Sequence, residues 1–173
     1  AREFAQMVKA RLDPTLRVYV EHSNEVWNPQ FQQYHYGVKM AAAQLPPIGP
    51  VPYHAVRTRM IGGFFKEVLG SSRVVAVLGA QAVNPWTASN GLEYLKAQFK
   101  GVIGIDAVAI APYFGLGPSP KESGTYTTMT MEALFNLIRT SKLPMAVEMV
   151  KSYRELAKSL PCWAVWITGM KGL

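Results

Sequence analysis

The stretch Val18 to Asn28, VYVEHSNEVWN, brings an imidazole, an amide, a carboxyl group and an indole together where an apolar run stops. Glu25 is the group able to hold and release a proton, and Asn24 before it can donate and accept hydrogen bonds. His22 adds a titratable ring and Trp27 a flat apolar face. Plainer roles exist for each. A glutamate here can stabilise the start of a following helix, His22 can be a hydrogen-bonded wall residue, and an aromatic in a buried loop packs more often than it binds. No metal chemistry is indicated, because the chain has neither CxxC nor HExxH spacing. Cys162 is the single cysteine, so no disulfide forms within the chain. Neither a metal nor a cofactor is expected.

These residues need a scaffold, and apolar periodicity predicts one. Residues 2–12 place Phe4, Met7, Val8 and Leu12 on one helical face, and Asp13-Pro14 ends the helix. Leu16 to Glu21 reads as a strand. Gln30 to Gln44 reads as a helix, LPPIGPVP as a rigid loop, and Tyr53 to Leu69 as the clearest helix, capped at Gly70. Arg73 to Leu78 is a buried strand and residues 89–99 a helix. Asp106 to Ala111 is a third strand, followed by a Gly/Pro/Ser/Thr-rich loop from Gly115 to Thr128. Met131 to Ile138 and Val147 to Leu160 are helices, and Cys162 to Ile167 a fourth strand.

Strands that each return after a helix form a parallel sheet, so the fold class is α/β and the C-terminal strand ends share one rim. Sites in such folds form at that rim. The rim residues are His22-Ser23-Asn24-Glu25, Gly79-Ala80-Gln81-Ala82 and Pro112-Tyr113-Phe114. Trp27, Trp86 and Tyr113 are its candidate flat faces and Gln81 a hydrogen-bonding neighbour.

A chain of 173 residues, 49% apolar and 17% charged, buries a core. Its net charge of +7 comes from scattered lysines and arginines, with no basic run and no nucleic-acid motif, so no nucleic-acid partner is expected. No apolar run reaches eighteen residues, and no membrane partner is expected.

The string YVEHSNEVWN resembles the fourth strand of clan A glycoside hydrolases, the retaining (β/α)8-barrel enzymes. SNEVWN followed by an aromatic-rich helix is similar to a group of cellulase-like barrels, some of them described as cellulose-binding. The resemblance implies a partial TIM barrel, a β-linked polysaccharide or oligosaccharide substrate, and glycoside hydrolysis. It makes Glu25 the acid/base and Asn24 the ligand of the sugar hydroxyl next to the anomeric carbon. His22, Trp27, Gln81, Trp86 and Tyr113 become candidate substrate contacts. Protonating a glycosidic oxygen is half of such a mechanism, since a retaining enzyme places a second carboxylate about 5–5.5 Å from the first.

The family's nucleophile ends strand seven, which corresponds here to CWAVWITG, and no acid follows it. Of the eleven acidic residues, most fall in helices, Asp106 starts its strand at the far end, and Glu21 lies below the rim. Glu122, in the long loop, is the one acid free to approach Glu25. The expectation is one incomplete domain over residues 1–173, an interior piece spanning about strands four to seven and inactive alone. Were Gly169 to Gly172 encoded GGT ATG AAG GGN, a shifted frame would read Tyr-Glu-Gly, the string that group carries around its nucleophile. A parent barrel acting on an extracellular glycan would be exported. The alternative is a non-catalytic carbohydrate-binding module using Trp27, Trp86 and Tyr113.

Overall fold

The most apolar run, VVAVLGA, becomes the second strand of a four-stranded parallel sheet and lies between its first and third strands. A computed structural model describes residues 1–112, residues 129–159 and the backbone of residues 164–167. The strands are β1 (Val18–Glu21), β2 (Val74–Ala80), β3 (Ala107–Ile110) and β4 (Ala164–Ile167), paired in sequence order. Register runs from Val18 opposite Val74, through Val77 opposite Ala107, to Ala107 opposite Ala164. The α/β class with parallel strands is therefore as the periodicity predicts.

The helices are α1 (Arg2–Arg11), α2 (Gln32–Ala42), α3 (Pro50–Leu69), α4 (Trp86–Gln98), α5 (Met131–Leu137) and α6 (Leu143–Ser159). Right-handed crossovers between sequential neighbours put helices on one face of a sheet, and the packing follows that rule. Leu78, Ala80, Val108 and Ile110 pack with Ala55 of α3, Leu92 and Leu95 of α4, and Tyr153 of α6. Val20 and Val74 pack with Ala5 of α1 and Phe65 of α3. On the opposite face Val75, Val77, Ala107 and Ala109 form a separate cluster that contains no helix residue. Burying each large apolar side chain on the helical face is worth roughly 1.5–3 kcal/mol.

Several boundaries differ from expectation. LPPIGPVP is not wholly loop: α3 starts at Pro50, with Gly49 as N-cap. Proline is tolerated in a first turn because the N–H it lacks would have no helical acceptor there. α3 ends on Gly70, at φ 94°, the cap expected from the sequence. β2 runs two residues past Leu78, because β3 continues to pair with it at Gly79 and Ala80. α4 begins at Trp86 instead of residue 89, with Thr87 Oγ1 accepting from Gln81 N at 2.9 Å and donating to Asn84 O at 2.8 Å. The two expected helices after residue 130 form one helical run, with a π turn at Ile138–Lys142 between α5 and α6. Pro144 sits just beyond that turn, and its missing N–H breaks the regular ladder there. On α1 the buried position is Ala5, while Phe4 and Met7 stay 58% and 42% exposed.

Asp106 lies just before β3, at the sheet end away from the rim. Its carboxylate accepts from Ala76 N at 2.7 Å and pairs with Lys66 Nζ at 2.7 Å, linking α3 to the sheet. Tyr113, Glu122 and the Gly115 to Thr128 loop lie outside the described residues. So does everything about Cys162 and the side chains of β4.

Candidate functional site

β1 leaves the sheet after Glu21, and the chain turns sharply to carry Glu25 onto the rim. Ser23 and Glu25 both adopt left-handed backbone conformations, at φ 63° and 46°. Such conformations cost non-glycine residues about 1 kcal/mol or more each and persist where the surroundings impose them. Here Val26 is buried at 8% exposure, Asn28 N donates to Glu25 O at 3.0 Å, and Gln33 Nε2 donates to Asn24 O at 2.7 Å. The Glu25 carboxyl is held as well, because Asn28 Nδ2 donates to its Oε2 at 3.1 Å. Asn28 Oδ1 accepts from Gln30 N at 3.1 Å, which fixes the amide's orientation. α2 begins only at Gln32 and has no acidic residue in its first turn, so Glu25 is not a helix-start carboxylate.

A cavity of about 270 Å³ opens at the C-terminal ends of β1, β2 and β3. Asn24, Glu25, Trp27 and Asn28 line one side and Gln81, Ala82 and Val83 another. Glu21, Gly79 and Ala109 line it from the helix-free face of the sheet, and Met149 of α6 also borders it. Its volume lies near the low end for small-molecule sites, roughly 300–1,000 Å³. Four of the sequence candidates thus converge: Asn24, Glu25, Trp27 and Gln81.

The β2 side of the rim is pinned from below. The Tyr153 hydroxyl, on a residue 1% exposed, donates to Gln81 O at 2.6 Å and also lies 3.1 Å from Asn84 O. Burial raises the Tyr153 pKa, so the hydroxyl stays a donor across the ordinary pH range. The Gln81 side-chain amide makes no hydrogen bond among the described residues, leaving it available to the cavity.

Two candidates lie elsewhere. Trp86 is the first residue of α4, 55% exposed, and does not line this cavity. His22 lines a separate cavity of about 30 Å³ with His54, Tyr36 and Tyr53. The two imidazole rings are 5.6 Å apart. Burial, then the Arg57 charge, lowers the His22 pKa. His54 is 4% exposed, and burial, reinforced by His22, lowers its pKa to about 4. His54 Nε2 lies 3.3 Å from Gly79 O. A carbonyl oxygen only accepts, so the neutral ring carries its proton on Nε2. That bond serves a carbonyl two residues past the last β1 pair at Val77.

Sequence reasoning passed over Asn28 and set Glu21 aside as lying below the rim. Asn28 had a local signal, three residues after Glu25 and directly before Pro29, where an Asx turn is favoured. Glu21 had the period-two alternation that puts it with Tyr19 on the face opposite Val18 and Val20. Burial raises the Glu21 pKa.

Among the described residues no group of three or more His, Cys, Asp or Glu could hold a metal ion. No helix among them is long and apolar enough to cross a membrane. No family model, no curated protein and no solved structure matches the chain.

Proposed function

We propose that this chain is a segment of a (β/α)8-barrel glycoside hydrolase, and that the rim cavity binds a β-linked glycan. The observation that carries this reading is the convergence of Asn24, Glu25, Trp27 and Gln81 around one cavity at the C-terminal ends of parallel strands. Three chemistries a sugar requires are then adjacent: an acid for the glycosidic oxygen, amides for hydroxyls, and an indole face for the ring's C–H surface. The barrel is supported by sheet order. Parallel sheets are covered on both faces, either by helices or by closure into a barrel. Here the described strands neighbour one another in sequence order with no switch point among them, helices cover one face, and on β2 and β3 the other holds small and branched residues.

In this reading Glu25 protonates the leaving oxygen and Asn24 holds the neighbouring hydroxyl. Asn28 orients the acid by its bond to Oε2. The resemblance puts the nucleophile after strand seven, which corresponds here to CWAVWITG, and no acid follows that string. Binding is accordingly the property expected of this chain by itself.

The test is calorimetric titration of the chain with cello-, xylo-, manno- and laminaritriose. Binding of at least one, abolished in Trp27→Ala and weakened in Asn24→Ala, is expected. A chain that binds none of the four would sink the reading. Tight binding untouched by Asn24→Ala and Glu25→Gln would favour a carbohydrate-binding module over an enzyme segment.

A further inference from the structure

Glu21 ends β1 on the face that carries no helix, and it reaches the same cavity as Glu25 from below the rim. Its position depends on a residue far away in sequence. A Cβ built on Gly79 would collide with Glu21 Oε1, so the carboxyl group occupies the space that a side chain on β2 would fill. Ala109 and Ala111 leave the same region open on the β3 side. Nearest the sheet the cavity is therefore bordered by glycine, alanines and one carboxyl group, and its other polar side chains, Asn24, Glu25, Asn28 and Gln81, belong to the loops of the rim.

Among the described residues the Glu21 carboxyl makes no hydrogen bond or ion pair. Glu21 is an exposed residue of β1, and the protein packed around its carboxyl group raises its pKa through burial. A carboxyl group held at a cavity wall without an internal partner keeps its acceptor atoms free for a ligand.

We propose that Glu21 is a ligand-contacting, specificity-determining residue of this site, hydrogen-bonding a hydroxyl that the bound sugar ring projects towards the sheet. The inference rests on the glycan reading above and adds a depth requirement to it. A ring held at the rim by Asn24 and Trp27 is selected for a hydroxyl that reaches down to Glu21, since no other polar side chain is available there. Gly79 is then a positioning residue, keeping the carboxyl group within the cavity.

The experiment compares wild type, Glu21→Gln and Gly79→Ala, measuring affinity for the four trisaccharides and thermal midpoint on the same samples. Glu21→Gln is expected to weaken the best ligand about tenfold, the worth of one hydrogen bond to a carboxyl group, with an unchanged or raised midpoint. Gly79→Ala retains the carboxyl group but displaces it, and a comparable loss of affinity is expected. Unchanged affinity in Glu21→Gln, with wild type binding normally, overturns this inference and leaves the glycan reading standing. Absence of binding in wild type overturns both.

Discussion

Asn28 Nδ2 stands 3.1 Å from Glu25 Oε2, and the Asn28 backbone N–H closes the same turn on Glu25 O at 3.0 Å. One residue thus fixes both the backbone and the carboxyl group of the candidate acid. Replacing it by alanine removes the side-chain half of that grip. Asn28→Ala is expected to lower unfolding free energy by about 1 kcal/mol and to weaken glycan binding several-fold. Urea denaturation and calorimetry read the two effects separately; an unchanged affinity would mean that Glu25 is positioned by the backbone alone.

The His54 ring makes stability depend on pH. Its pKa falls from 6.5 to about 4 on folding, because burial disfavours the charged ring. Between those values the unfolded chain binds more protons than the folded one, so stability declines as pH falls from 6.5 towards 4. The loss is on the order of 3 kcal/mol. His22, also lowered, contributes in the same direction, whereas Glu21, raised, gives stability that is lost as pH rises through its folded pKa. His54→Gln keeps a donor for Gly79 O but cannot titrate. Its pH profile of urea midpoints is expected to be flatter than wild type across this window, and parallel profiles would exclude His54 as the source.

Gly62 of α3 packs directly against Ala76 of β2, where an added Cβ would lie 2.6 Å from the Ala76 Cβ. Gly62→Ala is expected to destabilise by about 1–3 kcal/mol through overpacking. Ala76→Gly in the same chain removes the opposing atom, so the double variant should be more stable than the sum of its parts. Additive effects in denaturant titrations would show that the two elements simply move apart.

Tyr153 is the pin under the Gln81 loop. Tyr153→Phe leaves the Gln81 carbonyl without its 2.6 Å donor and is expected to cost about 1–3 kcal/mol. Because Gln81 borders the cavity, glycan affinity should fall as well; amide hydrogen exchange at residues 81–84 would rise if the pin acts locally.

Legibility followed the range of the interaction that decides each feature. The helix at 53–69, its Gly70 cap and the parallel α/β order were readable, because they depend on neighbours within a turn or on alternation along a strand. The element ends were less so. β2 gains Gly79 and Ala80 from pairing with β3, and α4 takes up Trp86 where the neighbouring Thr87 closes the preceding turn. Trp86, as the first residue of α4, does not line the cavity.

By itself the sequence determined that a carboxyl group and an amide would follow the first strand, at the end where Gln81 follows the second. Direction of travel through a parallel sheet is enough to bring those strand ends to one rim. Only the tertiary structure decided which side chains share the cavity. Glu21 reaches it because Gly79, on a strand laid beside β1 by the sheet, has no side chain to stand in the way. His22 is turned instead towards His54, since the α3 helix packs there. Both outcomes depend on which atoms compete for one volume, and that competition exists only once the strands and helices are packed together.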